Sequence, residues 1–231
     1  VLADLTSVEK LYQKALKGTK SGQKDGLPLR ELLEKILPVL EEGQSVRTLN
    51  FNEEELKLLK GFQLLTAKPV LYVANVGEDG FENNPHLDEV IKFAISENSE
   101  VVAICADIEA EISELEEEEK KEFLLAIGQT ESGLDRLIKA GYKLLGLQTY
   151  FTAGEQEVRA WTINIGDSAP QAAGKIHGDF EKGFIRAETV AFDEYINNVG
   201  EKGAKEAGKL RSEGKDYIVQ DGDVLHFLFN V

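Results

Sequence analysis

The sequence has no methionine and a single cysteine, Cys105, among its 231 residues. One cysteine excludes an intramolecular disulfide and favours a reducing compartment, so we expect a cytoplasmic protein. The missing initiator methionine predicts that the natural N-terminus lies outside this sequence. No apolar run approaches the about 18 residues that a membrane span needs, and the first ten residues lack the basic region of a signal peptide, so we expect no membrane partner.

Histidine is also scarce. His86, His177 and His226 lie far apart and show no metal-ligand spacing. Cys105 has no histidine nearby in sequence to activate it, so we interpret it as a small core residue rather than a nucleophile. The sequence therefore predicts neither a catalytic residue nor a metal site within this chain.

Charge is strongly one-sided, with a formal net charge of −16. Residues 68–148 hold seven Lys or Arg against eighteen Asp or Glu, and the segment 109–122 alone holds eight Glu. Such a run is typical of a solvated helix face, with a cation site as the weaker alternative. An acidic protein repels bulk nucleic acid, so any contact with RNA is expected to be local.

Residues 1–67 have helical periodicity. Apolar residues recur at three- and four-residue steps on both sides of a polar segment, 18–26, which predicts two helices joined as an antiparallel hairpin. The second helix starts near Pro28, and Pro38 predicts a kink late in it. Asn52 followed by Glu55 predicts a capping box that opens a third helix, reaching Leu65.

Residues 68–147 alternate between strand and helix. Short apolar strands are predicted at Pro69–Ala74 and Val101–Cys105, and Asn84 followed by proline predicts a helix start between them. A Ser113-x-x-Glu cap predicts another helix, and a further one is expected at Leu134–Leu145. This order favours an α/β fold with a parallel sheet, and two strands are too few for a stable one, so we expect the rest of the sheet to precede Val1.

Residues 148–231 have the outline of a ubiquitin-like β-grasp module. A helix is predicted from Ala169 through Phe180, after a turn at residues 166–167. Strands are predicted at Val158–Ile165, Phe184–Phe192, Asp216–Val219 and Val224–Phe229.

The sharpest local signal is Asn75-Val-Gly-Glu78, at the carboxyl end of a predicted strand. Ligands of parallel α/β sheets bind outside the carboxyl ends of the strands. An Asn amide there offers donors and an acceptor to the edge of a purine, and the next strand ends at Cys105-Ala106, where backbone groups can meet the same base. The plain alternative is a polar turn that follows a strand.

The order of these elements is typical of the base-binding half of a GTPase-like P-loop NTPase: a strand, N-x-x-E, a proline-capped helix, a second strand and C-A-x-x-E. The chain resembles the YchF/Obg-like ATPase family over essentially its whole length. The resemblance implies a helical coiled-coil insertion (1–67), the C-terminal part of the nucleotide-binding domain (68–147) and a β-grasp TGS domain (148–231). It is carried by KPVLYVANVGEDGFENNP (68–85), LQTYFTAGEQEVRAWT (147–162), IHGDFEKGFIRAET (176–189) and GAKEAGKLRSEGKDYIVQDGDVLHFLFNV (203–231).

Ordinary GTPases of that superfamily carry N-K-x-D where this chain has Asn75, Val76 and Glu78. The resemblance implies binding of ATP at least as well as GTP, and Glu, one methylene longer than Asp, does not fit the fork that Asp makes with guanine. We assign Asn75 to the adenine edge, Val76 to packing on the ring and Ala106 to a backbone contact. Glu78 belongs to the same turn and has the least defined role.

The segment Gly203–Leu210 fits G-x-x-x-x-G-K but has Leu where a phosphate-binding loop has Ser or Thr, and no convincing strand precedes it. We therefore interpret it as a chance match to the motif. No other phosphate-binding loop exists in the sequence, and the Mg²⁺ ligands of such a site are absent with it. Because phosphoryl transfer depends on positioning and on charge stabilisation at the phosphates, this chain alone is expected to be inactive.

Two sets of basic residues are candidate contacts to RNA or the ribosome, as the family resemblance suggests. Lys14, Lys17, Lys20 and Lys24 surround the hairpin tip, with a solvated helix end as the alternative. Arg159, Lys182 and Arg186 (with Lys175) alternate with aromatic residues in the TGS part, where Trp161 and the phenylalanines are interpreted as core.

Two functions therefore stand. The first is the base-recognition portion of a ribosome-associated enzyme that binds ATP, with GTP as a second ligand, and hydrolyses ATP with Mg²⁺ when intact. The second is a non-enzymatic ribosome- or RNA-binding adaptor that acts through the TGS domain and the helical hairpin.

Overall fold

A computed structural model describes residues 1–20, 27–154 and 156–230. The chain divides into two compact units, Val1–Ala140 and Gly141–Val231. The division into three domains stays a prediction. In the described ranges, no helix is long and apolar enough to cross a membrane.

The first unit contains a helical part and an α/β part. Its strands are β1 (Leu71–Asn75) and β2 (Glu100–Ile104). Its helices are α1 (Leu2–Lys20), α2 (Leu27–Glu41), α3 (Glu53–Phe62), α4 (Pro85–Ser96), α5 (Ala106–Ser113), α6 (Glu117–Ala126) and the first part of α7 (Gly133–Leu145).

Helices α1 and α2 pack side by side through the apolar residues that set their periodicity. Helix α2 continues through Pro38, and the predicted capping box opens α3: Asn52 Oδ1 accepts from the Glu55 N–H at 2.9 Å, and Glu55 Oε2 accepts from the Asn52 N–H at 2.8 Å. Helix α3 ends at Phe62, before the predicted Leu65. The buried core of this part includes Val8, Leu32, Leu33, Ile36, Leu40 and Val46.

Strands β1 and β2 pair in parallel, with Val73 opposite Val102, as predicted from their apolar runs. The Asn84 cap of α4 is confirmed. The Ser113 cap is wrong: Ser113 is the last residue of α5 and its hydroxyl donates back to the Ala110 carbonyl at 2.7 Å, while Glu116 caps α6. Helix α5 has only eight residues, too short to show a clear period in sequence.

The second unit is a mixed five-stranded sheet with helices. The strand order is β4-β3-β7-β5-β6; β3 and β7 are parallel and the other neighbours are antiparallel. The elements are β3 (Leu147–Ala153), β4 (Val158–Asn164), α8 (Ala169–Ile176), α9 (Gly178–Lys182), β5 (Phe184–Ala191), α10 (Phe192–Asn197), α11 (Glu201–Glu206), β6 (Arg211–Glu213) and β7 (Asp223–Phe229).

Helix α8 covers one face of this sheet. Its buried alanines face Tyr150, which is fully buried and donates its hydroxyl to the Ala172 carbonyl at 2.9 Å. Burial raises the pKa of Tyr150, so it stays a neutral donor. The small alanines let the helix approach the aromatic layer closely. Members of this core include Ile163, Ala169, Ala173, Phe184, Leu225 and Phe227.

Two predictions in this unit are wrong, and two strands were not predicted. The expected strand Asp216–Val219 is a turn with one isolated bridge, because its backbone bonds go to the start of α8. The expected helix 169–180 breaks at His177, whose backbone is extended, which separates α8 from α9. Strands β3 and β6 were not predicted. The segment at Gly203 lies in and after α11, which follows another helix, so the expectation that no strand precedes this segment is confirmed.

Candidate functional site

The carboxyl ends of β1 and β2 are joined by a side-chain hydrogen bond. Asn75 is the last residue of β1. Ala106 is the first residue of α5 and follows the end of β2 at Ile104 by two residues. Asn75 Oδ1 accepts from the Ala106 N–H at 3.0 Å. The Val76 N–H donates to the Ile104 carbonyl at 2.8 Å, so the sheet pattern continues one residue past Asn75. The predicted pair Asn75 and Ala106 is therefore brought together.

The segment after Val76 folds into a tight turn. The Gly80 N–H donates to the Gly77 carbonyl at 2.9 Å, and a Cβ at Gly80 would lie 3.1 Å from Gly77 backbone atoms, a tight contact that favours glycine there. Asn84 closes it, donating from Nδ2 to the Gly80 carbonyl at 3.0 Å. The turn leaves Glu78 exposed beside the strand ends.

A cavity of about 500 Å³ opens next to this turn. It shares Glu78 with the predicted base-binding residues, but Asn75, Val76 and Ala106 do not line it. Its lining combines apolar and acidic side chains with the basic Arg136. The lining includes Phe81, Ile108, Glu109, Phe123, Ile127 and Gly133.

Helix α7 begins against the residues that follow β2. Glu109 accepts two backbone N–H bonds there, from Gly133 to Oε1 at 2.7 Å and from Leu134 to Oε2 at 3.0 Å. A carboxylate at the start of a helix is favoured by the free amides and by the helix dipole. Arg136 donates to the Ala103 carbonyl at 3.1 Å. Glu109 was predicted both within the acidic run 109–122 and at the end of the C-A-x-x-E pattern, whereas Gly133 and Arg136 were not predicted.

Cys105 is buried, as expected for a core residue, and its thiol is free. Over the described ranges, no group of three or more His, Cys, Asp or Glu side chains is arranged to hold a metal ion. His177 accepts from the Asp179 N–H at 3.2 Å and caps α9, so its role there is structural.

The basic residues predicted near the hairpin tip are only partly described. Lys14 and Lys17 lie exposed on α1. Lys20 is the last residue of α1, and Lys24 lies outside the described residues.

The basic residues of the second unit do not share one surface. Arg159 lies over the Trp161 ring at 4.3 Å from its centroid, on the same sheet face as the core, while Arg186 alternates with the buried Ala187 and therefore lies on the opposite face. Arg186 also pairs with Glu188 at 3.5 Å, and Lys182 is exposed at the end of α9. Arg159 and Arg186 therefore do not contribute to one basic surface.

Comparisons with known proteins show what the chain is similar to. A family model named YchF-GTPase_C, described as a protein of unknown function (DUF933), matches residues 147–230. "Ribosome-binding ATPase YchF" of Pasteurella multocida is 59% identical over 230 residues, covering 100% of this chain and 63% of the relative. The Bacillus subtilis protein of the same name is 54% identical and is covered to 64%. The chain thus spans less than two thirds of the length of these relatives.

Among solved structures, the Schizosaccharomyces pombe YchF GTPase has a TM-score of 0.85 and 32% identity, with 98% of this chain and 62% of that chain covered. A GTP-binding protein from Pyrococcus horikoshii shares the fold alone, with a TM-score of 0.52 and 16% identity over 78% of this chain and 51% of that one. The fold is an α/β fold with a parallel and a mixed sheet, similar to that of the Schizosaccharomyces pombe YchF GTPase. The chain belongs to the YchF family.

Proposed function

We propose that this chain carries the base-recognition part of a ribosome-associated ATPase that binds ATP, with GTP as a second ligand. The observation that supports the proposal is the bond between Asn75 Oδ1 and the Ala106 N–H. The bond uses Oδ1 of the Asn75 amide and leaves both N–H groups of Nδ2 available. Among the described residues, no group accepts a hydrogen bond from Nδ2. A purine N7 at the strand ends is the acceptor that this donor fits.

The same bond favours adenine over guanine. The Ala106 N–H already donates to Asn75, so this N–H does not donate a hydrogen bond to O6 of guanine. The second lone pair of Asn75 Oδ1 can accept from the 6-amino group of adenine, which guanine lacks. Val76 is half-buried beside the strand ends, where it would pack on the ring, and Glu78 would line the rim of the same site.

Hydrolysis needs groups that this sequence does not contain. We propose that the part of the relatives outside the matched segment supplies the phosphate-binding loop and the residues that hold Mg²⁺. The Mg²⁺ would neutralise charge on the phosphates during cleavage of ATP to ADP and phosphate. This chain alone would then be catalytically silent.

The two remaining parts would act as arms. The five-stranded sheet, with a parallel central pair and α8 on one face, supports a ubiquitin-like β-grasp of the TGS type. The packed pair α1 and α2 supports a coiled-coil insertion. The relatives' name, "Ribosome-binding ATPase", supports a ribosomal partner and hence a cytoplasmic location.

A hybrid protein tests base recognition. This chain replaces the matched segment of the Pasteurella multocida relative, and equilibrium binding of fluorescent ATP and GTP analogues is measured for the hybrid and for the 231-residue chain. We expect the hybrid to bind, with preference for ATP, and the chain alone to bind poorly. A hybrid that binds no nucleotide, or that prefers GTP, would contradict the proposal.

A second candidate function is an adaptor that binds ribosomal RNA without nucleotide chemistry. The exposed Lys14 and Lys17 on α1 favour it, since phosphate contacts need free cations. Co-sedimentation of the 231-residue chain with ribosomes at rising salt tests it. Binding that is lost in a Lys14→Glu/Lys17→Glu variant, and that ATP does not change, would favour the adaptor.

A further inference from the structure

The start of helix α7 contacts the chain on both sides of Ala106. Arg136 reaches the Ala103 carbonyl, before Ala106, and the first amides of α7 reach Glu109, after it. We propose that the first turn of α7 positions the Asn75–Ala106 pair for base binding, with Glu109, Gly133 and Arg136 as positioning residues. This inference rests on the proposed function of that pair.

The contact after Ala106 is a two-pronged carboxylate bond. Both oxygens of Glu109 are used, at 2.7 and 3.0 Å from the amide nitrogens of Gly133 and Leu134. Hydrogen bonds to an ionised acceptor are stronger and more directional than neutral ones. Glu109 lies in the first turn of α5, so a shift of α7 would move the turn that begins with Ala106.

Gly133 makes this approach possible. A Cβ at Gly133 would lie 2.7 Å from Glu109 Oε1 and 3.0 Å from Ile104 Cγ2, both too close for an unshifted contact. Ile104 is also the residue whose carbonyl accepts from the Val76 N–H. A side chain at Gly133 would therefore displace the Glu109 carboxylate from the start of α7 and crowd the side chain of Ile104.

The contact before Ala106 uses the planar fork of Arg136. Its Nη2 donates to the Ala103 carbonyl at 3.1 Å, and its Nη1 donates to Gln129 Oε1 at 2.8 Å. These acceptors are uncharged, so the fork's geometry matters more than its charge. A lysine cannot bridge the two directions that the guanidinium covers.

The test compares two glycines of the same helix in the hybrid protein described above. Gly133→Ala forces a shift at Glu109 and Ile104, whereas Gly141→Ala, also in α7, places its Cβ where no atom lies within 4 Å. Affinities for ATP and for inorganic triphosphate are measured for each, with thermal unfolding as a check on the fold. Triphosphate has no base, so it reports the phosphate site alone.

We expect Gly133→Ala to weaken ATP binding by about fivefold, the equivalent of one net hydrogen bond, and to leave triphosphate binding unchanged. Gly141→Ala is expected to match the parent for both ligands. If Gly133→Ala does not fold, the affinities for ATP and for triphosphate are measured for Arg136→Lys instead, with the same expected result.

Two outcomes overturn the inference while the proposed function stands: ATP affinity equal to the parent, or ATP and triphosphate affinities that fall together. A parent hybrid that binds triphosphate as tightly as ATP shows that the base contributes nothing. In that case base recognition itself fails, and the role of α7 fails with it.

Discussion

Arg47 Nη2 lies 2.7 Å from Glu97 Oε2, in an ion pair whose side chains are only 15% and 13% exposed. Glu97 also accepts from Ser45 Oγ at 3.0 Å and from the Tyr72 hydroxyl at 2.7 Å. Tyr72 belongs to β1, the strand that ends at Asn75, and Glu97 follows α4. One carboxylate therefore joins the segment after α2 to the strand that carries the candidate site.

Replacing this carboxylate tests the strength of the junction. Glu97→Gln removes the charge that three donors share, and we expect a loss of about 1–3 kcal/mol in the free energy of unfolding. Urea denaturation followed by circular dichroism measures it. Glu89→Gln, an exposed position on α4, is the matched control and should stay within about 0.5 kcal/mol of the parent. Equal stability of the two variants would show that the junction contributes nothing.

Acid should weaken the first unit through two buried carboxylates. Burial raises the pKa of Glu97, but the bonds from Arg47, Tyr72 and Ser45 outweigh it and hold the pKa below its usual 4.5. Burial acts likewise on Asp4, and the bonds from the Thr66 hydroxyl and backbone lower its pKa below 3.8.

A lowered pKa in the folded state stabilises the protein above the unfolded pKa, and this stabilisation is lost as the pH falls through the folded value. We therefore expect stability to fall below about pH 4.5. Denaturation midpoints measured from pH 6 to pH 3 check this, and Glu97→Gln should show a shallower decline. A decline of the same slope in both proteins would remove Glu97 from the effect.

Two substitutions at Asn75 separate its two roles in the hybrid protein. Asn75→Ala removes donor and acceptor, and should cost about 1–3 kcal/mol of ATP binding. Asn75→Asp keeps the acceptor for the Ala106 N–H but loses the donor to the base, so it should also weaken ATP binding while preserving the melting temperature. Asn197→Ala, exposed on α10, is the control. Unchanged ATP affinity in Asn75→Asp would exclude the amide donor from recognition.

Asp223 organises the end of the second sheet. It is 2% exposed and accepts from the Tyr217 hydroxyl at 2.6 Å and from the Gln220 N–H at 2.9 Å. Burial, together with the bond to Asp223, raises the pKa of Tyr217 to about 12. Spectrophotometric titration should therefore find one tyrosine that ionises near this value, and a lower value for it in Asp223→Asn.

The same variant should lose about 1–3 kcal/mol of stability, because the neutral amide is a weaker acceptor than the carboxylate and lacks the charge that faces Arg211 at 3.5 Å. Asp216→Asn, exposed in the neighbouring turn, is the control for both measurements. A titration curve identical in the two variants would contradict the role of Asp223.

Local patterns predicted the elements whose signals are local. The apolar runs that form β1 and β2, the capping box at Asn52 and the cap at Asn84 were found where expected. Helix α5 was missed because eight residues show no clear period, and strand β6, of three residues, was missed because it depends on pairing with the distant β5. The turn at Tyr217 was mistaken for a strand for the same reason: its bonding partners lie near Ala169.

The sequence by itself determined the class of fold, the family resemblance and the position of Asn75 at a strand end, since these depend on periodicity and on contiguous residues. Only the tertiary structure decided that Asn75 bonds to Ala106, that Glu109 caps α7 rather than facing solvent, and that Arg159 and Arg186 lie on opposite sheet faces. Each of these depends on which distant backbone groups folding brings within hydrogen-bond reach, and no local pattern encodes that.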